Sequence, residues 1–136
     1  MQPVYMKRHQ TENIVQKQLV TWLKDFKIDK IQEQKWCKFG KVDIITPRLL
    51  IEVKHYKNYK EGIGQLLTYN KSILYRKSVL YIFSYDPFAK IPKNDFDRIF
   101  KACRYNDIYL IVHNFNGRDK LADLLTKYKL ENIILD

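Results

Sequence analysis

The sequence predicts an α/β protein, a three-layer sandwich of helices around a mixed sheet. Three observations predict it. Residues 78–85 (SVLYIFSY) and 108–113 (IYLIVH) are continuous apolar runs of the kind found in strands buried on both faces. Residues 42–46 and 49–54 are two more short β-like runs, meeting at Pro47-Arg48. Between and around these lie segments with apolar residues at helical spacing, so the order reads α-β-β-β-α-β-α-β-α.

Taken in order, residues 1–8 read as a lead-in. From Thr11 a helix is expected, because Val15, Leu19, Trp22, Leu23 and Phe26 form one apolar stripe. Glu12 continues that stripe one turn toward the N-terminus. It either interacts with the helix dipole or frays into water, or it reaches a site inside the fold. Residues 31–39 (IQEQKWCKF) have the mixed polarity of a strand near a sheet edge. The strands at 42–46 and 49–54 follow, and then a basic, aromatic linker, 55–61.

A second helix is expected from about Glu61 to Arg76, with Ile63, Leu66, Leu67, Asn70 and Leu74 facing the core. Gln65, Tyr69, Ser72 and Arg76 then form a polar stripe beside that face. Gly62 and Gly64 at its start permit close backbone approach. Phe96, Ile99, Phe100 and Cys103 mark a third helix, and Leu121, Leu124, Leu125 and Tyr128 a last one.

The 136 residues suit one domain with a single core, and 46% hydrophobic content is globular. The net charge of +10, with 25 Lys+Arg scattered along the chain against 15 Asp+Glu, points to a polyanionic partner, DNA first. No run approaches a membrane span, and no basic helix carries a strong exposed apolar face, so a membrane partner is not expected. Cys37 and Cys103 have no paired spacing and read as reduced thiols of an intracellular protein. The three His are too scattered for zinc, and no glycine pattern implies a nucleotide cofactor. Abundant Lys, Ile, Tyr and Asn suggest an AT-rich source such as a plasmid, virus, organelle or mobile element.

The chemistry concentrates in Gly40–Lys54, GKVDIITPRLLIEVK, which sets Asp43, Glu52 and Lys54 among apolar residues. Charges are rarely buried unless they are paired or bind an ion. On a strand, Glu52 and Lys54 share a face while Ile51 and Val53 turn inward, and pairing of the two strands brings Asp43 alongside Glu52. Two carboxylates and an ammonium at one spot suit Mg²⁺ and a phosphate. The competing reading is an ion-pair cluster on a binding domain without catalysis.

Gly40-x-x-Asp43, then Glu52-x-Lys54, then Gln65-x-x-x-Tyr69 resembles the PD-(D/E)xK nuclease superfamily, with the Q-x-x-x-Y motif of its RecB-like members. The departure is Val42, where the superfamily's namesake Pro would stand. The resemblance covers roughly residues 9–85 and implies a restriction-endonuclease-like αβββαβ core, with 86–136 as an extension. It implies a Mg²⁺-dependent DNA endonuclease, with Mn²⁺ able to substitute. The AT-rich composition tips that expectation toward a homing type, and a small chain that cuts both strands of a duplex needs two active sites, hence a homodimer or homotetramer. A Holliday-junction resolvase or RecB-like exonuclease is the first alternative, and a non-catalytic DNA-binding module on the same fold the second.

By the same resemblance, Asp43, Glu52 and the Val53 carbonyl hold the metal, Lys54 handles the water and phosphate, and Glu12 assists. Gln65 and Tyr69 brace the site or contact DNA, unless they are ordinary helix surface. Arg48, His55, Lys57, Lys60 and Arg76 are the candidate DNA contacts. For the 55–60 segment an ordinary solvated loop is an equal reading, and His55 suits a solvated position.

Overall fold

The computed structural model describes residues 11–73, 75–114 and 116–127. The expected lead-in at 1–8, Leu74 and Tyr128 lie outside them. The elements run α1 (Glu12–Asp25), β1 (Gln32–Cys37), β2 (Gly40–Ile45), β3 (Leu49–His55), a 3₁₀ turn (Tyr56–Asn58), α2 (Tyr59–Tyr69), β4 (Lys77–Phe83), α3 (Lys93–Tyr105), β5 (Tyr109–Val112) and α4 (Gly117–Lys127). The five strands lie in chain order in one mixed sheet, antiparallel from β1 to β3 and parallel from β3 to β5. The α/β sandwich expected from the sequence is the architecture observed.

Two apolar layers sandwich the sheet. On one face α1 and α4 bury Val15, Leu19, Leu23, Leu121 and Leu124 against Ile44, Ile51, Val53, Tyr81 and Phe83. On the other, α2 and α3 bury Ile63, Leu66, Ile99 and Cys103 against Val42, Leu50, Leu80 and Ile82. Each such side chain removed from water contributes about 1.5–3 kcal/mol before entropy is counted. The extension after residue 85 adds β5 to the sheet and one helix to each layer.

Four local expectations need correction. The segment after β3 is a 3₁₀ turn running into α2 rather than a linker loop, and His55 ends β3 buried instead of sitting in solvent. The second helix ends at Tyr69, not Arg76. Its buried positions are Gly62, Ile63, Leu66 and Tyr69, so Tyr69 belongs to the core and Leu67 is exposed. This phase is set by Gly62, where an added Cβ would meet Leu80 Cδ1 at 2.6 Å and Lys54 Cγ at 3.0 Å. The missing side chain lets that turn lie flat on β3 and β4. Finally, β5 is a four-residue edge strand, only partly buried, although its composition reads as central. Both cysteines are free thiols, and burial pushes the Cys103 thiol up to about 12.

Candidate functional site

The candidate site forms where β2 and β3 part. Their ladder pairs Ile45 with Leu50 and Ile44 with Ile51, which puts Asp43 opposite Glu52 at the next step. There, side chains replace the backbone ladder. The Asp43 N–H donates to Glu52 Oε1 at 3.2 Å, and the Val53 N–H donates to Asp43 Oδ2 at 2.8 Å. Each carboxylate thus bridges to the opposite strand and holds the gap open at a fixed width.

Residues from both helical layers reach into this gap. From α1, the buried Gln16 donates to the Asp43 carbonyl at 3.2 Å and to Glu33 Oε1 at 3.1 Å. From β1, the Gln34 amide donates to Gln16 Oε1 at 2.9 Å and to Asp43 Oδ1 at 3.2 Å. Gln34 has the left-handed φ of 51° at the step opposite Asp43, a conformation that costs a non-glycine residue about 1–3 kcal/mol. From α2, Glu61 accepts from Lys54 Nζ at 3.1 Å.

The electrostatics follow from burial. Glu52 is only 1% exposed, and desolvation, reinforced by the Asp43 charge, pushes its carboxyl up to about 9. It therefore holds a proton at neutral pH. Desolvation also raises Glu12, against Lys54 and with the charges of Asp43 and Glu61. For Lys54, burial alone would lower the ammonium. The Glu61 hydrogen bond and the charges of Glu12, Glu61 and Glu52 outweigh burial and hold it above its ordinary value. Tyr69, raised to about 12 chiefly by burial, donates to the Lys41 carbonyl at 3.0 Å and so ties α2 to β2.

Asp43, Glu52 and Lys54 are thus brought together, while Glu12 stays exposed at the start of α1, near enough for the charges of Lys54, Asp43 and Glu61 to act on its carboxyl. Tyr69 sits beside them as a brace. Gln65 lies one turn away in a crevice of about 520 Å³ that Phe39, Gly40, Lys41, Glu61 and Tyr69 also line, and its buried Oε1 has no partner among the described residues. Arg48 and Arg76 are not brought there. Arg76 Nε donates to the Thr46 carbonyl at 2.9 Å, at the end of β3 remote from Lys54. From Arg48 to Lys54 the strand rises about 20 Å. Lys57 and Lys60 are exposed in the first turns after β3. His55 is a packed residue. Its Nδ1 accepts the Lys57 N–H, its ring stacks on Tyr85 at 4.0 Å, and burial holds its pKa below the ordinary value.

Sequence reasoning missed Gln16, Gln34 and Glu61. Gln16 had a signal, standing one helical turn after Glu12 and so on the same face. Gln34 had none, since its role depends on an unusual backbone angle.

The donor set fits a hard cation. Two carboxylates converge, and the Val53 carbonyl opens toward the same gap as its N–H, because both groups of a strand residue face one neighbour. Among the described residues no three His, Cys, Asp or Glu side chains gather as a cation-holding group, so carbonyl or phosphate oxygens would complete the shell.

Comparison with known proteins gives three relatives, each named a KilA-N domain-containing protein of Acanthamoeba polyphaga mimivirus. The first is 35% identical over 79 residues, covering 57% of this chain and 20% of the relative. The second is 34% identical over 77 residues, covering 57% and 29%. The third is 37% identical over 46 residues, covering 34% and 12%. The chain therefore spans less than a third of the length of these relatives. No family model matches the chain, and no solved structure matches it. The relatives come from a virus, one of the sources the composition suggests. No helix among the described residues is long and apolar enough to cross a membrane.

These relatives correct the functional expectation. Their shared name is that of a DNA-binding domain family, which overturns the reading as a Mg²⁺-dependent endonuclease and favours its non-catalytic, DNA-binding alternative. The expected homodimer or homotetramer rested on the need to cut two strands, and it loses that ground as well.

Proposed function

We propose that this chain is a DNA-binding module on the restriction-endonuclease-like framework its motifs resemble, working without phosphodiester hydrolysis. The observation that carries the reading is the similarity to viral proteins named for the KilA-N domain. The net charge of +10 supports it, because lysines and arginines meeting phosphates supply most of the sequence-independent affinity for DNA.

The site geometry supports it from a second direction. Lys54 is engaged by Glu61, Glu52 carries a proton at neutral pH, and Asp43 and Glu52 each give an oxygen to a backbone N–H of the opposite strand. In this arrangement the cluster is a brace. It fixes β2, β3, α1 and α2 relative to one another, and with them the surfaces that meet DNA. Lys57 and Lys60 belong to that surface, with phosphates as their targets.

A divalent cation, Mg²⁺ or Mn²⁺, would be held by Asp43, Glu52 and the Val53 carbonyl. It would supply positive charge for a DNA phosphate oxygen. Binding it requires the Glu52 proton to leave, so cation affinity rises with pH.

The test is fluorescence anisotropy with a labelled duplex in Mg²⁺ and in EDTA, the same samples then being run on a denaturing gel. The reading predicts binding in both buffers, strengthened by Mg²⁺ in the wild type and not in Asp43→Asn, with strands intact throughout. Absence of binding in either buffer would overturn it. So would strand cutting in Mg²⁺ that Lys54→Ala abolishes.

A further inference from the structure

The β1–β2 hairpin carries a feature that the brace does not use. Between Gln34 and Val42 the chain reads Lys35-Trp36-Cys37-Lys38-Phe39-Gly40-Lys41, with three cations, two large aromatics and no acid. Trp36 is 71% exposed and Phe39 45% exposed, and all three lysines are exposed. The cations are already poised over the rings. Lys41 Nζ lies 5.4 Å from the Trp36 ring centre, across the strand pair that joins the two residues, and Lys38 Nζ lies 5.5 Å from that of Phe39.

We propose that this hairpin binds unpaired DNA, with bases stacking on Trp36 and Phe39 and phosphates met by Lys35, Lys38 and Lys41. The inference rests on the DNA-binding reading and narrows it to a preference for single strands or locally opened duplex. Lysines on an edge strand alone have a plainer purpose, since charge there deters edge-to-edge pairing. That purpose leaves Trp36 unexplained. A large exposed aromatic on the edge strand of a sheet is an aggregation hazard unless a partner covers it. Charge selects the partner: three cations without an acid suit a polyanion, and flat faces between cations suit bases, because every base offers a π-face.

The hairpin is also held firmly enough to act as a platform. Gln34 ties its base to Asp43 and Gln16, and the Tyr69 hydroxyl bonds the Lys41 carbonyl. Phe39 and Lys41 also line the crevice of about 520 Å³ shared with Gln65 and Tyr69, which gives an unstacked nucleotide room beside the hairpin.

The test compares a short fluorescein-labelled single strand with the same sequence as a duplex, in wild type, Trp36→Ala, Trp36→Phe and Phe39→Ala. Each alanine variant should lose roughly tenfold or more in single-strand affinity, with duplex affinity moving less than about threefold. Trp36→Phe should keep most of the single-strand affinity. Wild-type tryptophan emission should be quenched by the single strand, and that quench should vanish in Trp36→Phe. Unchanged single-strand affinity in Trp36→Ala, or an equal loss on both substrates, would overturn the hairpin proposal while leaving DNA binding in place. Failure of the wild type to bind either substrate would overturn the DNA-binding reading itself.

Discussion

Asp43 and Glu52 face each other across the opening between β2 and β3, and each accepts or donates a hydrogen bond that the backbone ladder would otherwise make. Glu52 Oε1 takes the Asp43 N–H at 3.2 Å, while Asp43 Oδ2 takes the N–H of Val53, the neighbour of Glu52, at 2.8 Å. Burial, with the Asp43 charge this close, makes ionising Glu52 costly.

That cost appears as pH-dependent stability. The Glu52 carboxyl rises from 4.5 to about 9 on folding, so between those values the folded chain binds more protons than the unfolded one. Stability contributed by this group is complete below pH 4.5 and declines as pH rises toward 9. Glu52→Gln keeps a neutral side chain of the same shape. It should raise the melting temperature by several degrees at pH 8.5 and change it little at pH 4. Melts at the two pH values check this, and equal shifts at both would contradict it.

Gly62 and Gly64 lie two residues apart in α2 and should respond with opposite signs to alanine. An added Cβ at Gly62 meets Leu80 Cδ1 at 2.6 Å and Lys54 Cγ at 3.0 Å, so Gly62→Ala should cost about 1–3 kcal/mol as α2 is pushed off the sheet. At Gly64 nothing lies within 4 Å, so Gly64→Ala should gain about 0.5–1 kcal/mol from helix propensity. Urea denaturation of both variants reads the two signs. A stabilised Gly62→Ala would mean that the close approach of α2 to β3 is not required.

DNA affinity should fall steeply with salt, because phosphate contacts release counterions. Lys57, in the 3₁₀ turn, and Lys60, in the first turn of α2, are both exposed, and removing both should flatten the slope of log K against log salt by about 2. A titration from low to physiological salt measures it. An unchanged slope would take these two lysines out of the interface.

Much of this fold was legible from periodicity. The apolar runs at 78–85 and 49–54 became β4 and β3, and the stripe from Val15 to Leu23 became the buried face of α1. The motif spacing placed Asp43 beside Glu52 because strand pairing follows from a short turn at Pro47-Arg48. Other features depended on information that spacing does not carry. Tyr69 looked like helix surface, but the flat seating of Gly62 rotates it into the core. The 55–60 segment looked like a loop because its aromatics and cations suit either state. Edge position misled for β5, whose composition is central although no described strand lies beyond it. Function was least legible. A carboxylate–lysine pattern reads as a catalytic centre, while the same residues, hydrogen-bonded to backbone and to Glu61, also serve as a brace.

If the chain binds DNA and leaves it intact, both properties show on one pair of gels. The most direct measurement incubates the protein with supercoiled plasmid and with a four-way junction, in Mg²⁺ and in EDTA, and reads mobility before and after protein is removed. The account predicts retarded complexes on the first gel and unchanged plasmid and junction strands on the second. Nicked or linear plasmid or cleaved junction strands, formed in Mg²⁺ and absent with Lys54→Ala, would contradict it.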